Sequence, residues 1–354
     1  MRTLIFLSAV VALGQEPNWQ WHDIGEATME GQGWKDTRHP FDRLPAKAEK
    51  LVRPPVWSLQ KHSAGIAARF VTDAGQIRLR WSVRNQALAL PHMPSTGVSG
   101  LDLYTREGSG WRWVANGRPT AVTGNESTAS GLKGDRREYM LYLPLYNGAD
   151  KVEIAVPEKA SFEKGPPRRD GVRPLVFYGT SILHGGCASR PGMAYPSITG
   201  RKLDWPIINL GFSGNGKTEP EMAALLAELD PAAYILDSLP NLSPQETADL
   251  VPPFYGVLRR AHPTTPIVLV ENVAYTQAEY VENRKQSYMG KNTHLRAFYV
   301  KLIAQGEKNV YYVPADELLG ADGEDTVDGT HPTDLGFMRM ADTMVRVLRP
   351  VLAR

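Results

Sequence analysis

The stretch Leu175-Val176-Phe177-Tyr178-Gly179-Thr180-Ser181-Ile182 decides how this chain is read. Four apolar or aromatic residues in a row, without polar alternation, suit a strand covered on both faces, as in a parallel sheet. The run breaks at a glycine, and a serine stands two residues later. A serine at a tight turn off a buried strand presents its hydroxyl at the sheet edge. It also offers its own backbone N–H to a developing oxyanion.

Toward the C-terminus the same rhythm repeats. An apolar run at 174–178 precedes a helical pattern at 195–203, 207–210 precedes 220–229, and 233–236 precedes 245–261. Likewise 267–270 precedes 292–305, and 310–313 precedes 335–348. Five such units predict an α/β fold with a mostly parallel sheet between helices. Sites in these sheets form at the carboxyl ends of the strands.

Toward the N-terminus the rhythm is different. Short strand-like segments at 65–71, 76–83, 100–104, 111–115 and 139–143 are separated by Gly, Asn, Asp and Pro clusters. Ile77, Leu79, Trp81 and Val83 alternate with Arg78, Arg80 and Ser82, the period of a half-buried strand. We expect an all-β sandwich, jelly-roll-like, over 15–160, a polar linker over 161–172 stiffened by Pro166 and Pro167, and the α/β domain over 173–354.

Composition narrows the class. With 354 residues and a formal net charge of +2, and with no Lys/Arg run longer than two, the chain lacks the basic stripe that nucleic acid requires. Met1-Arg2 and the apolar run from Thr3 to Leu13 read as a signal peptide over 1–14, with Ala12 and Gly14 before the cut. That run is too short to span a bilayer, which takes about 20 residues. Export without stable membrane insertion is expected. The single cysteine, Cys187, excludes an intrachain disulfide and reads as a small buried hydrophobe.

Three further strand ends carry polar residues. Asp328-Gly-Thr-His331-Pro332 precedes the last helix, where Thr333 already suits the N-cap. A hydroxyl nucleophile needs an imidazole to take its proton, and the imidazole needs an anion to fix its tautomer. Ile207-Ile-Asn-Leu210 runs into Gly211-Phe-Ser-Gly214, and Tyr234-Ile-Leu236 into Asp237-Ser-Leu-Pro-Asn241. A glycine N–H and an asparagine amide there suit an oxyanion.

In chain order, Ser181, Gly214, Asn241 and Asp328/His331 resemble the four sequence blocks of the SGNH (GDSL-like) hydrolases. The first block reads Gly179-Thr-Ser-Ile182 where that family has Gly-Asp-Ser-Leu, and the third reads Leu239-Pro-Asn241 where it often has Gly-x-Asn-Asp. Gly100-Leu-Asp-Leu-Tyr104 is similar to the Gly-x-Asp-Leu-Tyr signature of the β-domain that precedes some bacterial members. The resemblance implies a flavodoxin-like three-layer hydrolase domain. It implies Ser181 as nucleophile, His331 as base, Asp328 as its orienter, and Ser181, Gly214 and Asn241 around the oxyanion. It implies no metal or organic cofactor. The Gly-x-Ser-x-Gly elbow of the α/β-hydrolases is absent, since position 183 is Leu.

Two rival readings stand beside this one. Gly211-Phe-Ser-Gly-Asn-Gly-Lys217-Thr218 satisfies the P-loop pattern, with Asp237 as a magnesium partner, and implies a nucleotide hydrolase. Trp19, Trp21, Trp34, Trp57, Trp81, Trp111 and Trp113 allow a non-catalytic carbohydrate-binding face instead. The esterase reading uses all of the strand-end loops, and with export it points to a small ester or an acylated carbohydrate, acetyl above all. Arg190, Tyr195 and Glu271 are candidates to line the substrate site.

Overall fold

The computed structural model describes residues 17–168 and 171–353. The expected signal peptide, 1–14, lies outside them. In the N-terminal half, strands β1 (Trp19–Asp23), β2 (Thr28–Glu30), β3 (Ala67–Thr72), β4 (Gln76–Val83), β5 (Leu101–Glu107), β6 (Gly110–Gly117), β7 (Asn125–Ser130), β8 (Arg137–Tyr142), β9 (Ala149–Pro157) and β10 (Glu163–Lys164) form two antiparallel sheets. One sheet has the order β1-β9-β4-β7; the other runs β10-β3-β8-β5-β6, with β2 on β3. The alternation along β4 does what its period requires: Ile77, Leu79, Trp81 and Val83 enter a core shared with Leu101, Leu103 and Leu141.

Arg78 and Arg80 point the other way and lie over the rings of Trp19 and Trp21, while Arg106 lies over Trp111. Trp81 is core. The tryptophans expected as a sugar platform are therefore occupied in packing or carry guanidinium groups on their faces.

The expected linker is part of the sandwich. Glu163 and Lys164 pair with Val71 and Phe70, the Gly165 N–H donates to the Arg69 carbonyl at 2.9 Å, and the Arg69 guanidinium donates to the Pro166 carbonyl. The polar composition of this stretch had suggested solvent; its backbone instead completes a sheet edge. Nearby, six side chains close a ring of alternating charge, Glu30–Arg69–Glu138–Arg106–Asp204–Arg168 and back to Glu30. Asp204 belongs to the C-terminal half, so the ring fastens the halves together.

In that half, β11 (Leu175–Gly179), β12 (Ile207–Gly211), β13 (Ala233–Asp237), β14 (Ile267–Val270) and β15 (Val310–Val313) form one parallel sheet in the order β12-β11-β13-β14-β15. This is the flavodoxin-like order, and β11 lies at the point where the winding reverses. Two short helices, α1 (Pro54–Leu59) and α2 (Ser95–Val98), belong to the N-terminal half. Six follow: α3 (Ser181–His184), α4 (Tyr195–Leu203), α5 (Pro220–Leu226), α6 (Pro244–Ala261), α7 (Glu282–Ala304) and α8 (Asp334–Leu352). Residues of α5, α6 and α7 cover one face of the sheet, and residues of α4 and α8 cover the other. The strand limits follow the apolar runs closely. Helix α7 begins ten residues before the expected 292, because Glu282 to Gly290 carries no apolar stripe.

Both layers also receive residues of the N-terminal half. Leu44, Ala48, Val52 and Val56 share a core with Val176, Tyr178 and Ile208, and Ala64, Met93, Val98 and Leu145 share the other with Phe177 and Ile182. The sandwich is thus built into the hydrolase half rather than tethered to it.

Candidate active site

Strand β11 ends at Gly179, where a side chain would strike the Asp237 carbonyl of the neighbouring strand. Thr180 then caps α3, its hydroxyl accepting the Ile182 N–H at 3.3 Å, and Ser181 opens the helix. The first N–H groups of a helix have no partner within it. The single turn of α3 closes at Gly185, whose φ of 105° is left-handed and natural only to glycine.

Ser181 Oγ lies 2.8 Å from His331 Nε2, and His331 Nδ1 lies 2.7 Å from Asp328 Oδ2. The other oxygen, Asp328 Oδ1, accepts the His331 N–H at 2.8 Å and the Thr330 N–H at 3.0 Å. Burial pushes the Asp328 carboxyl up, but hydrogen bonds from the His331 backbone and ring and the Thr330 N–H hold it below its ordinary value. An ionised Asp328 accepts a hydrogen bond from Nδ1–H, which fixes the tautomer and leaves Nε2 free to accept the serine proton. Thr333 caps α8, its hydroxyl accepting the Gly336 N–H, so Asp328 is left for the imidazole.

The register sets the other loops beside Ser181: Gly179 pairs with Gly211 on one side and Asp237 on the other. Gly214 sits at the exposed tip of the turn after β12 with φ 67°. Asn241 ends a 3-10 turn after β13, and its Nδ2 approaches the Phe212 and Gly216 carbonyls at 3.4 and 3.3 Å. Ser181, Gly214 and Asn241 are therefore on adjacent loops at one edge of the sheet.

The same turn cannot cradle a phosphate. Its Asn215 and Gly216 N–H groups donate to the Phe212 carbonyl, the Lys217 N–H to Glu219 Oε2 and the Thr218 N–H to the Tyr178 hydroxyl. A P-loop needs those amides for its ligand. Asp237 is buried, and its carboxylate accepts the Tyr195 hydroxyl at 2.8 Å. The turn matches the P-loop pattern in sequence but not in hydrogen bonding.

The three expected substrate contacts are structural. Tyr195 is fully buried, packed between Phe177 and Phe337. Glu271 is buried and holds Arg296, the Tyr312 hydroxyl and the Ala315 N–H. Arg190 pairs with Asp102 at 2.8 Å and with the Tyr104 hydroxyl. Each stands close to Ser181 or a strand end in sequence, but its side chain is taken up by packing or by the sandwich.

Three residues of the N-terminal half reach the site without any local signal in the sequence. The exposed His92 ring lies 5.9 Å from the His331 ring. The Tyr146 hydroxyl donates to the Ser181 carbonyl at 3.2 Å. Buried Arg43 donates to the Asn209 and Gly211 carbonyls at the end of β12, with burial pulling its pKa down to about 9. Among the described residues no group of three or more His, Cys, Asp and Glu side chains is arranged to hold a metal ion, and no helix is long and apolar enough to cross a membrane.

Comparison with known proteins gives the family. Residues 172–349 match a family model described as the GDSL-like Lipase/Acylhydrolase family, and residues 19–162 match one described as the N-terminus of Esterase_SGNH_hydro-type. A solved structure described as a GDSL-like lipase from Bacteroides ovatus is similar with a TM-score of 0.88 at 34% identity, over 95% of this chain and 98% of that one. A salicylyl-acyltransferase from a tetracycline biosynthetic pathway gives 0.76 at 18%, over 94% and 97%. An acetyl xylan esterase from the rumen bacterium Butyrivibrio proteoclasticus gives 0.55 at 14%, over 94% and 99%. The search of curated proteins gave no match.

Proposed function

The chain belongs to the GDSL-like lipase/acylhydrolase family and is an esterase, and from that premise we propose that it removes short acyl groups, acetyl above all, from carbohydrate. The observation that carries the reading is the unbroken chain Ser181 Oγ–His331 Nε2 and His331 Nδ1–Asp328 Oδ2, at 2.8 and 2.7 Å.

The Ser181 oxygen attacks the acyl carbon while its proton passes to His331 Nε2. Asp328 stabilises the imidazolium without taking the proton. The oxyanion lies among the N–H groups of Ser181 and Gly214 and the amide of Asn241, each donor contributing on the order of 10²–10³ in kcat. Collapse breaks the bond to the alcohol, which leaves with the proton from His331. Water, deprotonated by the same imidazole, then cleaves the acyl-enzyme and returns the proton to Ser181.

The carbohydrate assignment is supported by the likeness to an acetyl xylan esterase and by the openness of the site. Asp328, Gly214 and His92 are exposed, so an ester borne on a long chain meets no wall. Export rests on the apolar run at Thr3 to Leu13.

The test is Ser181→Ala in the full chain, assayed on p-nitrophenyl acetate and on acetylated xylan. Turnover should fall by about a thousandfold or more on both. Wild-type turnover in that variant would remove the nucleophile, and release of acetate from p-nitrophenyl acetate alone would remove the carbohydrate assignment.

A further inference from the structure

We propose that Tyr146, a residue of the sandwich half, is a positioning residue for the Ser181 nucleophile; the proposal rests on the roles of Ser181 and His331 given above. Helix α3 is a single turn, and an isolated turn has too few hydrogen bonds to hold its own geometry. Its first carbonyl, that of Ser181, accepts the Gly185 N–H at 3.1 Å, the Gly186 N–H at 2.8 Å and the Tyr146 hydroxyl at 3.2 Å. The third donor comes from the other half of the molecule.

Tyr146 is itself held in place. It lies in the connection between β8 and β9, and its N–H donates to the Val98 carbonyl while that of Leu145 donates to Gly97. Its ring stacks on His184, at 4.2 Å and 18° between planes. His184 in turn donates through Nε2 to the Leu145 carbonyl at 2.7 Å. Burial raises the Tyr146 pKa, so the phenol remains a proton donor through the neutral range. The Ser213 side chain, on the turn that carries Gly214, is a second polar neighbour of the phenol.

Gly186 marks the meeting point. A Cβ there would lie 2.9 Å from the Tyr146 hydroxyl oxygen, 3.1 Å from the Ser181 carbonyl oxygen and 3.3 Å from His331 Cδ2. Phenol, nucleophile backbone and base thus converge on a space that admits only a hydrogen atom. The orientation of the Ser181 backbone sets where its N–H and Oγ point. A donor clamped on that backbone acts on the reacting atoms and not on remote parts of the substrate, so its loss lowers kcat rather than raising KM.

The experiment uses the full chain with p-nitrophenyl acetate, kcat being referred to sites titrated by the acylation burst. Tyr146→Phe keeps the ring on His184 and removes only the hydroxyl. It should lower kcat per titrated site about tenfold with KM within about twofold, the size of one hydrogen bond. Gly186→Ala pushes a methyl against the phenol and should lower kcat similarly. A merely structural tyrosine would change the fraction of titratable sites and leave kcat per site untouched. Wild-type kcat per site in Tyr146→Phe would overturn the proposal. Ser181→Ala, run alongside, separates the two claims. An active Ser181→Ala sinks the nucleophile and this role with it. An inactive Ser181→Ala with an unaffected Tyr146→Phe sinks this role alone.

Discussion

Asp102 Oδ2 accepts the Arg190 guanidinium and the Gly192 N–H, each at 2.8 Å. Asp102 is the acid of Gly100-Leu-Asp-Leu-Tyr104, and Arg190 and Gly192 lie in the loop that follows α3. Its other oxygen accepts the Trp113 indole N–H at 2.9 Å. The motif is therefore a fastening between halves, and it explains why Arg190 is not available to substrate. Removing one partner of a buried pair leaves the other uncompensated.

Asp102→Ala should accordingly destabilise the whole chain by about 3 kcal/mol, the low end for a broken buried pair because Arg190 keeps partial access to water. Urea denaturation followed by tryptophan fluorescence reads this directly. An unchanged midpoint would show that the contact is decorative.

Asp237 gives the stability a pH dependence of defined sign. Burial pushes its carboxyl up to about 7, and the hydrogen bond from Tyr195 only partly offsets this. Below about pH 4 both folded and unfolded forms are protonated. As pH rises from about 4 to about 7 the unfolded chain ionises first, so stability falls, and above about 7 the loss is complete. Asp237→Asn keeps an acceptor for Tyr195 and removes the titration. Relative to wild type, the variant should gain on the order of 3–4 kcal/mol between pH 4 and pH 8. Parallel profiles for the two proteins would contradict the assignment.

Lys217 tests the P-loop pattern by itself. Its backbone N–H already serves Glu219, so Lys217→Ala should leave esterase turnover within about twofold. ATP with magnesium should not raise the melting temperature, although a ligand at a hundred times its dissociation constant would stabilise by about 2.7 kcal/mol. A nucleotide-dependent shift abolished by Lys217→Ala would reopen the case.

The His92 ring lies 5.9 Å from that of His331, the group proposed above to deliver a proton to the leaving alcohol. His92→Ala should therefore raise KM for acetylated xylan roughly three- to tenfold and leave kcat on p-nitrophenyl acetate within about twofold. Equal effects on both substrates would place His92 in the chemistry rather than in recognition of the alcohol.

What could be read from the sequence follows from the range of the interactions involved. The strands of the parallel sheet were legible because continuous apolar runs such as Ile267 to Val270 report burial on both faces. That Ser181, Asp328 and His331 stand at element ends was legible because those limits are locally encoded, and the structure brings the three side chains together. Tyr146, His92 and Arg43 were not. Their places beside the site arise from contacts such as that between Arg43 and Gly211, separated by most of a domain in sequence, and no local pattern marks them. Arg190 and Tyr195 were misread for the same reason, since proximity to Ser181 in sequence says nothing about which neighbour takes the side chain. The stretch at 163–168 looked like linker because polarity is shared by solvent-exposed spacers and short edge strands.

Leu44, Ala48, Val52 and Val56 sit in one core with Ile208, Leu210 and Phe212. A ribosome releases the first four long before the last three. Until then, the nascent chain carries a greasy segment whose destination has not been made, and the sandwich that surrounds it cannot close its account with water. Folding must wait for the residues around 208–212, which raises contact order and slows the final step. A truncated translation product ending in the 161–172 region would expose that segment permanently, and aggregation rather than a free-standing sandwich is its fate. For the same reason, recombination that moved the sandwich alone into another gene would transplant a half with an unfilled seam.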